Sequence, residues 1–75
     1  MEKYTIAIVV RNKSGVLNRV TSVFRRFGVN ISNLTAAEDE ATDYSKITVL
    51  FDGDESSKRQ LINQINKLPD VLSIN

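Results

Sequence analysis

The sequence predicts an α+β domain with its elements in the order β-α-β-β-α-β, and three observations lead there. Residues 4–10, 29–37, 46–51 and 71–74 are rich in β-branched residues and read as strands. Two stretches with helical apolar spacing fall between the first and second strands and between the third and fourth. The two halves also share a helix exit into a strand, Phe27-Gly28-Val29-Asn30-Ile31 in one and Leu68-Pro69-Asp70-Val71-Leu72 in the other. This is the split βαβ, or ferredoxin-like, arrangement: a sandwich of two helices on one face of a four-stranded antiparallel sheet.

The first strand is followed by Arg11-Asn12-Lys13-Ser14-Gly15, a polar turn in which Ser14 is the predicted helix cap. Leu17, Val20, Phe24 and Phe27 then supply the predicted apolar stripe, and Gly28 the helix stop. The second strand carries no charge before Glu38, and residues 38–43 form an acidic connection predicted to be a mobile hairpin loop. In the third strand Ile47, Val49 and Phe51 alternate onto one face. Asp54 is the predicted cap of the second helix, Leu61, Ile65 and Leu68 its stripe widened by Ile62, and Pro69 its end. The fold places the second and fourth strands at the sheet edges. Residues 30–37 hold neither Lys nor Pro, so this unprotected edge predicts a side-by-side homodimer with a continuous sheet.

Composition narrows the function. The chain has 75 residues and is read as one domain over 1–75; a domain of that size buries only ~60% of its unfolded surface, which again favours self-association. The net charge of +1 gives no footprint for nucleic acid or an acidic membrane surface. With no Cys and no His there is no disulfide, no thiolate metal site and no imidazole base. The longest apolar run, residues 6–10, is too short to cross a bilayer. Met1-Glu2-Lys3 leads directly into a strand pattern, which predicts no leader and a cytoplasmic location. The aromatics provide no exposed platform for stacking bases, since Phe24 and Phe27 lie on the helix stripe and Phe51 on the apolar strand face. Acylphosphatases share the βαββαβ plan, but the spacing of Arg11, Arg19 and Asn33 does not fit their anion-binding turn.

The informative stretch is Asn12-Lys13-Ser14-Gly15-Val16-Leu17. It opens the first helix, where several amides have no intrahelical acceptor and the helix dipole favours an anion. Gly15 admits a close ligand, and Asn12 and Asn30 are expected to bring side-chain amides to the same end of the sheet. An amino acid, with carboxylate and ammonium side by side, suits such a set. A cap, a turn glycine and two strand-end amides account for the same residues equally well.

Asn12-Lys13-Ser14-Gly15-Val16-Leu17-Asn18-Arg19-Val20 resembles the opening of ACT domains, and Phe24 to Thr35 resembles the segment that follows in that family. Together with Lys67-Leu68-Pro69-Asp70-Val71-Leu72, these stretches are most similar to the regulatory small subunit of acetohydroxyacid synthase, or acetolactate synthase. The resemblance implies a non-catalytic chain that pairs side by side and binds valine, leucine or isoleucine between two copies. Asn12, Ser14 and Gly15 match the turn, Val16 and Leu17 flank the effector side chain with Leu17 shared with the core, and Asn30 matches the partner's strand. It also implies a separate catalytic large subunit carrying thiamine diphosphate and flavin, with no cofactor bound by this chain. Two departures stand out. Longer small subunits carry a second domain, whereas this sequence stops after the last strand, so it reads as a short form, an excised domain or a free-standing ACT protein. Short forms of the family can activate without feedback inhibition. Val16 follows Gly15 where a smaller residue is common, which narrows the pocket. The alternative implied by the family is sensing of another amino acid, or an oligomerisation and activation module without sensing.

Overall fold

Residues 2–75 are described by a computed structural model. Six elements follow in the order β1 (Glu2–Arg11), α1 (Val16–Arg26), β2 (Asn30–Asp39), β3 (Tyr44–Gly53), α2 (Glu55–Ile65) and β4 (Val71–Ile74). The sheet order is β2-β3-β1-β4 with every pair antiparallel, so β2 and β4 are the edges as the sequence predicts. Ile6, Ile8 and Val10 of β1 and Ile47, Val49 and Phe51 of β3 face the helices, alternating along each strand. They meet Val16, Val20, Val23 and Phe24 of α1 and Leu61 and Ile65 of α2 in one apolar cluster. Phe51 sits at its centre, 5.7 Å from the Phe24 ring edge-on and 6.1 Å from Tyr4 in a stack.

Several local expectations need correction. The α1 stripe is Val16, Val20, Val23 and Phe24; Leu17 is 43% and Phe27 39% exposed. The five apolar residues of this short helix, Val16, Leu17, Val20, Val23 and Phe24, allow two overlapping stripes that share Val20 and Phe24, and β-branched Val16 and Val23 fit the tight sheet contact. Ser14 is not the cap. Gly15 holds the N-cap position with φ 84°, in the left-handed region, and no side-chain bond caps the helix. The hairpin between β2 and β3 is shorter than predicted, because Glu38 and Asp39 pair with Ser45 and Tyr44. Asp39 closes the turn, its Oδ1 accepting from Ala41 N–H at 3.0 Å and its carbonyl from Asp43 N–H at 3.1 Å. The second helix stops at Ile65, before Leu68 and Pro69, which lie in the turn leading to β4.

Both other helix signals hold. Gly28 at φ 67° ends α1, with its N–H bonded to Arg25 O at 3.0 Å and Val29 N–H to Phe24 O at 3.1 Å. Asp54 caps α2 through Oδ1, which accepts from Ser57 N–H at 2.7 Å. That bond holds the Asp54 carboxyl below its usual range.

Candidate functional site

The turn between β1 and α1 is held from three sides. Asn12 N–H donates to Asp43 O at 2.8 Å, tying it to the β2–β3 hairpin. Arg11 N–H donates to Asp70 O at 2.9 Å, tying it to the α2–β4 turn. The Asp70 carboxylate then faces Arg19 at 3.0 Å and Lys13 at 3.6 Å, and its side chain is only 14% exposed. Within the turn, Val16 N–H reaches Lys13 O at 3.3 Å. Arg19 N–H, bonded to Gly15 O at 3.1 Å, is the first amide with a regular helical acceptor. The amides of Leu17 and Asn18 therefore belong to the orphan set at the helix start. A Cβ built on Gly15 meets nothing within 4 Å, so the space beside this turn is open.

A cavity of about 150 Å³ lies against the turn. That is below the ~300 Å³ at which drug-sized sites begin, and suits a ligand of a few heavy atoms. Asn12, Lys13, Val16 and Leu17 line it from the turn and α1, Ser45 and Ile47 from β3, and Ala36 and Glu38 from β2. Val16, 4% exposed, is at once core and cavity wall, whereas Leu17 stands at the open side and belongs to the cavity rather than the core. Ser14 and Gly15 shape the turn without lining the cavity.

Asn30 lies elsewhere, against the expectation that it shares an end of the sheet with Asn12. It pairs with Asp52 of β3, which pairs in turn with Lys3 near the start of β1. Asn12 follows Arg11, whose partner is Tyr44 at the opposite end of β3. Since β1 and β2 are both antiparallel to β3, they run in the same direction, and a residue after β1 and a residue opening β2 must be at opposite ends. At its own end Asn30 Nδ2 donates to Asp52 Oδ2 at 2.9 Å, while Lys3 Nζ donates to Asp52 Oδ1 at 2.7 Å and to Ser32 Oγ at 2.9 Å. The lysine first, and the Asn30 amide second, hold the Asp52 carboxyl below its usual range.

Sequence reasoning missed Val10, Arg11, Lys13, Ala36, Glu38, Ser45 and Ile47 as lining residues. The hairpin register, Glu38 opposite Ser45 and Ala36 opposite Ile47, would have found four of them. That register depends on the hairpin being tight, which the acidic composition of residues 38–43 concealed. Among the described residues, no helix is long and apolar enough to cross a membrane, and no group of three or more His, Cys, Asp or Glu is placed to hold a metal ion.

The βαββαβ sandwich with sheet order β2-β3-β1-β4 is the architecture of ACT domains. The same architecture occurs in the ACT domain of GTP pyrophosphokinase from Chlorobium tepidum, with a TM-score of 0.80 over 97% of this chain and 94% of that one at 20% identity, a likeness of fold. More narrowly, the family described as AHAS small subunit-like ACT domain matches residues 6–73, and this chain belongs to it. The probable acetolactate synthase small subunit of Archaeoglobus fulgidus is 44% identical over 96% of this chain and 45% of its own length. The acetolactate synthase small subunit of Mycolicibacterium smegmatis is 38% identical over 95% of this chain and 42% of its own. In the crystal structure of the Thermotoga maritima acetolactate synthase small subunit, the likeness reaches a TM-score of 0.90 at 31% identity, covering 100% of this chain and 47% of that one. The chain thus spans about half the length of the relatives it matches.

Proposed function

We propose that this chain is the effector-sensing ACT domain of an acetolactate synthase small subunit. It binds a branched-chain amino acid, valine first, and modulates the catalytic large subunit without catalytic groups of its own. The observation that carries the reading is the cavity beside the Gly15 turn, whose outer wall is Ala36 and Glu38 of the edge strand β2.

That edge is where a second copy belongs. The inward-facing Ile31 and Leu34 of β2 are only half-buried, and no residue of β2 is fully buried. Exposed Leu17 on α1 and Phe27 at its C-terminal cap add apolar surface still to be covered. Pairing two β2 strands antiparallel about a two-fold axis at mid-strand extends the sheet and satisfies both edges. The same rotation carries the partner's Asn30 from the far end of its strand to the Ala36–Glu38 end of this one. The separation of Asn12 and Asn30 within one chain is then resolved between chains. The turn amides receive the effector carboxylate, the Asn12 and partner Asn30 side chains receive its polar atoms, and Val16 and Leu17 enclose its side chain.

The test is a thermal-shift screen of the chain against the twenty amino acids at millimolar concentration. A ligand at a hundred times its dissociation constant adds ~2.7 kcal/mol, a rise of at least ~10 °C for a domain of this size. The expected result is a shift with valine, leucine or isoleucine that Asn12→Ala or Gly15→Asp abolishes. A flat response to all twenty overturns effector sensing and leaves a subunit that binds and activates its enzyme.

A further inference from the structure

We propose that Glu38 is the ammonium-recognising group of this cavity, so that the site selects an amino acid over the same acid lacking its amine. The inference deepens the effector reading above and rests on it. Glu38 pairs across the hairpin with Ser45, which is 8% exposed and faces the helices, so both side chains lie on the helix side of the sheet. Both line the cavity, opposite the turn that contributes Arg11, Asn12 and Lys13.

The charges around the cavity divide into two groups. Asp70 is committed to the turn side, where its carboxylate holds Arg19 and Lys13. Among the described residues the ion pairs are Lys3–Asp52, Lys13–Asp70 and Arg19–Asp70, and Glu38 takes part in none of them. The cavity therefore has one acidic wall with an uncommitted carboxylate and, across from it, a turn with orphan amides and two cations. A zwitterion laid between them satisfies both sides, carboxylate on the turn and ammonium on Glu38. A plain carboxylate gains only the turn and faces Glu38 as a like charge. Ser45, with a hydroxyl that donates or accepts, sits beside Glu38 and is compatible with the ammonium.

The probes are valine and the α-keto acid of the same carbon skeleton, titrated calorimetrically against the wild-type chain, Glu38→Gln and Glu38→Asp. Glu38 is exposed and bonded to no other side chain here, so neither substitution disturbs the core. In the wild type, valine is expected to bind more tightly than the keto acid. Glu38→Gln is expected to weaken valine about fivefold while the keto acid binds as well or better, and Glu38→Asp to restore part of the preference. A merely structural role would move both ligands together. If the wild type binds valine and Glu38→Gln leaves the preference within about twofold, this assignment is overturned and the effector site stands. If the wild type binds neither compound nor any other amino acid, the effector reading itself has failed and the assignment falls with it.

Discussion

Strands β2 and β3 are hydrogen-bonded neighbours of equal length, ten residues each, yet they live in different environments. β3 buries five residues, Ser45, Ile47, Val49, Phe51 and Gly53, whereas β2 buries none. The difference lies in what flanks them. β3 has a strand on both sides and its inward residues lie in the helix-packed core, while the inner side of β2 carries only half-covered Ile31 and Leu34. One strand is therefore built to hold this chain together, and the other is available to hold something else. It is the second that forms the open wall of the cavity.

Substitutions sharpen that contrast, beginning with the largest effect. Phe51→Ala removes the central ring from contacts with Phe24 and Tyr4 and is expected to cost ~3–5 kcal/mol, leaving the fold lost or its melting point at least ~12 °C lower. Leu34→Ala, in β2, is expected to cost no more than ~2 kcal/mol, because its side chain is only half-buried. Thermal melts of the two variants at low protein concentration check the ratio, and equal losses would break the distinction. Next, Thr35→Lys places a charge in the middle of the free edge, where a two-fold pairing sets two such charges close together. Sedimentation is expected to show a dissociation constant raised at least about tenfold, with the melting point of the monomer little changed. A wild-type chain that remains monomeric at high micromolar concentration would remove the dimer altogether.

The smallest effect concerns acid. Asp52 of β3 fastens Asn30, the first residue of β2, and Asp54 caps α2; both carboxyls are held below their ordinary value of 3.8. Because the folded values are depressed, their stabilisation is fully present above the unfolded value and is lost as pH falls through the folded ones. Melts between neutral pH and the low acid range are expected to fall only below about pH 4. In Asp52→Asn that fall should be shallower, and an unaltered acid limb would show that the Lys3–Asp52–Asn30 contact carries no stability.

Most of this framework was legible from residue order alone. The alternation of Ile47, Val49 and Phe51, the Asp54 cap, the Gly28 stop and the strand Val71–Ile74 all depend on interactions within a few residues, which sequence patterns report. The phase of α1 was not legible, since adjacent Val16 and Leu17 are both apolar and only packing against the sheet chooses between them. Nor was the geometry of the turn, where a left-handed Gly15 takes the cap position predicted for Ser14. At the site, Asn12, Val16 and Leu17 were found because they are contiguous with the turn, whereas Glu38 and Ser45 arrive through hairpin register. The placement of Asn30 failed for a topological reason: a strand, a helix and a parallel strand return the chain to its starting end.

The strand order also bears on how the domain forms as it is synthesised. β1 and β2 are never neighbours, because β3 lies between them. When the first half of the chain has emerged, β1, α1 and β2 have no sheet partner within that half. Pairing begins only once β3 is available to insert, with the hairpin to β2 as the local step and the union with β1 as the long-range one. Such non-local closure is slow relative to helix formation. The glycine turn, whose ties run to Asp43 and Asp70, is consequently completed late in folding. The proposed sensor is thus completed only after the β2–β3 hairpin and the α2–β4 turn have formed.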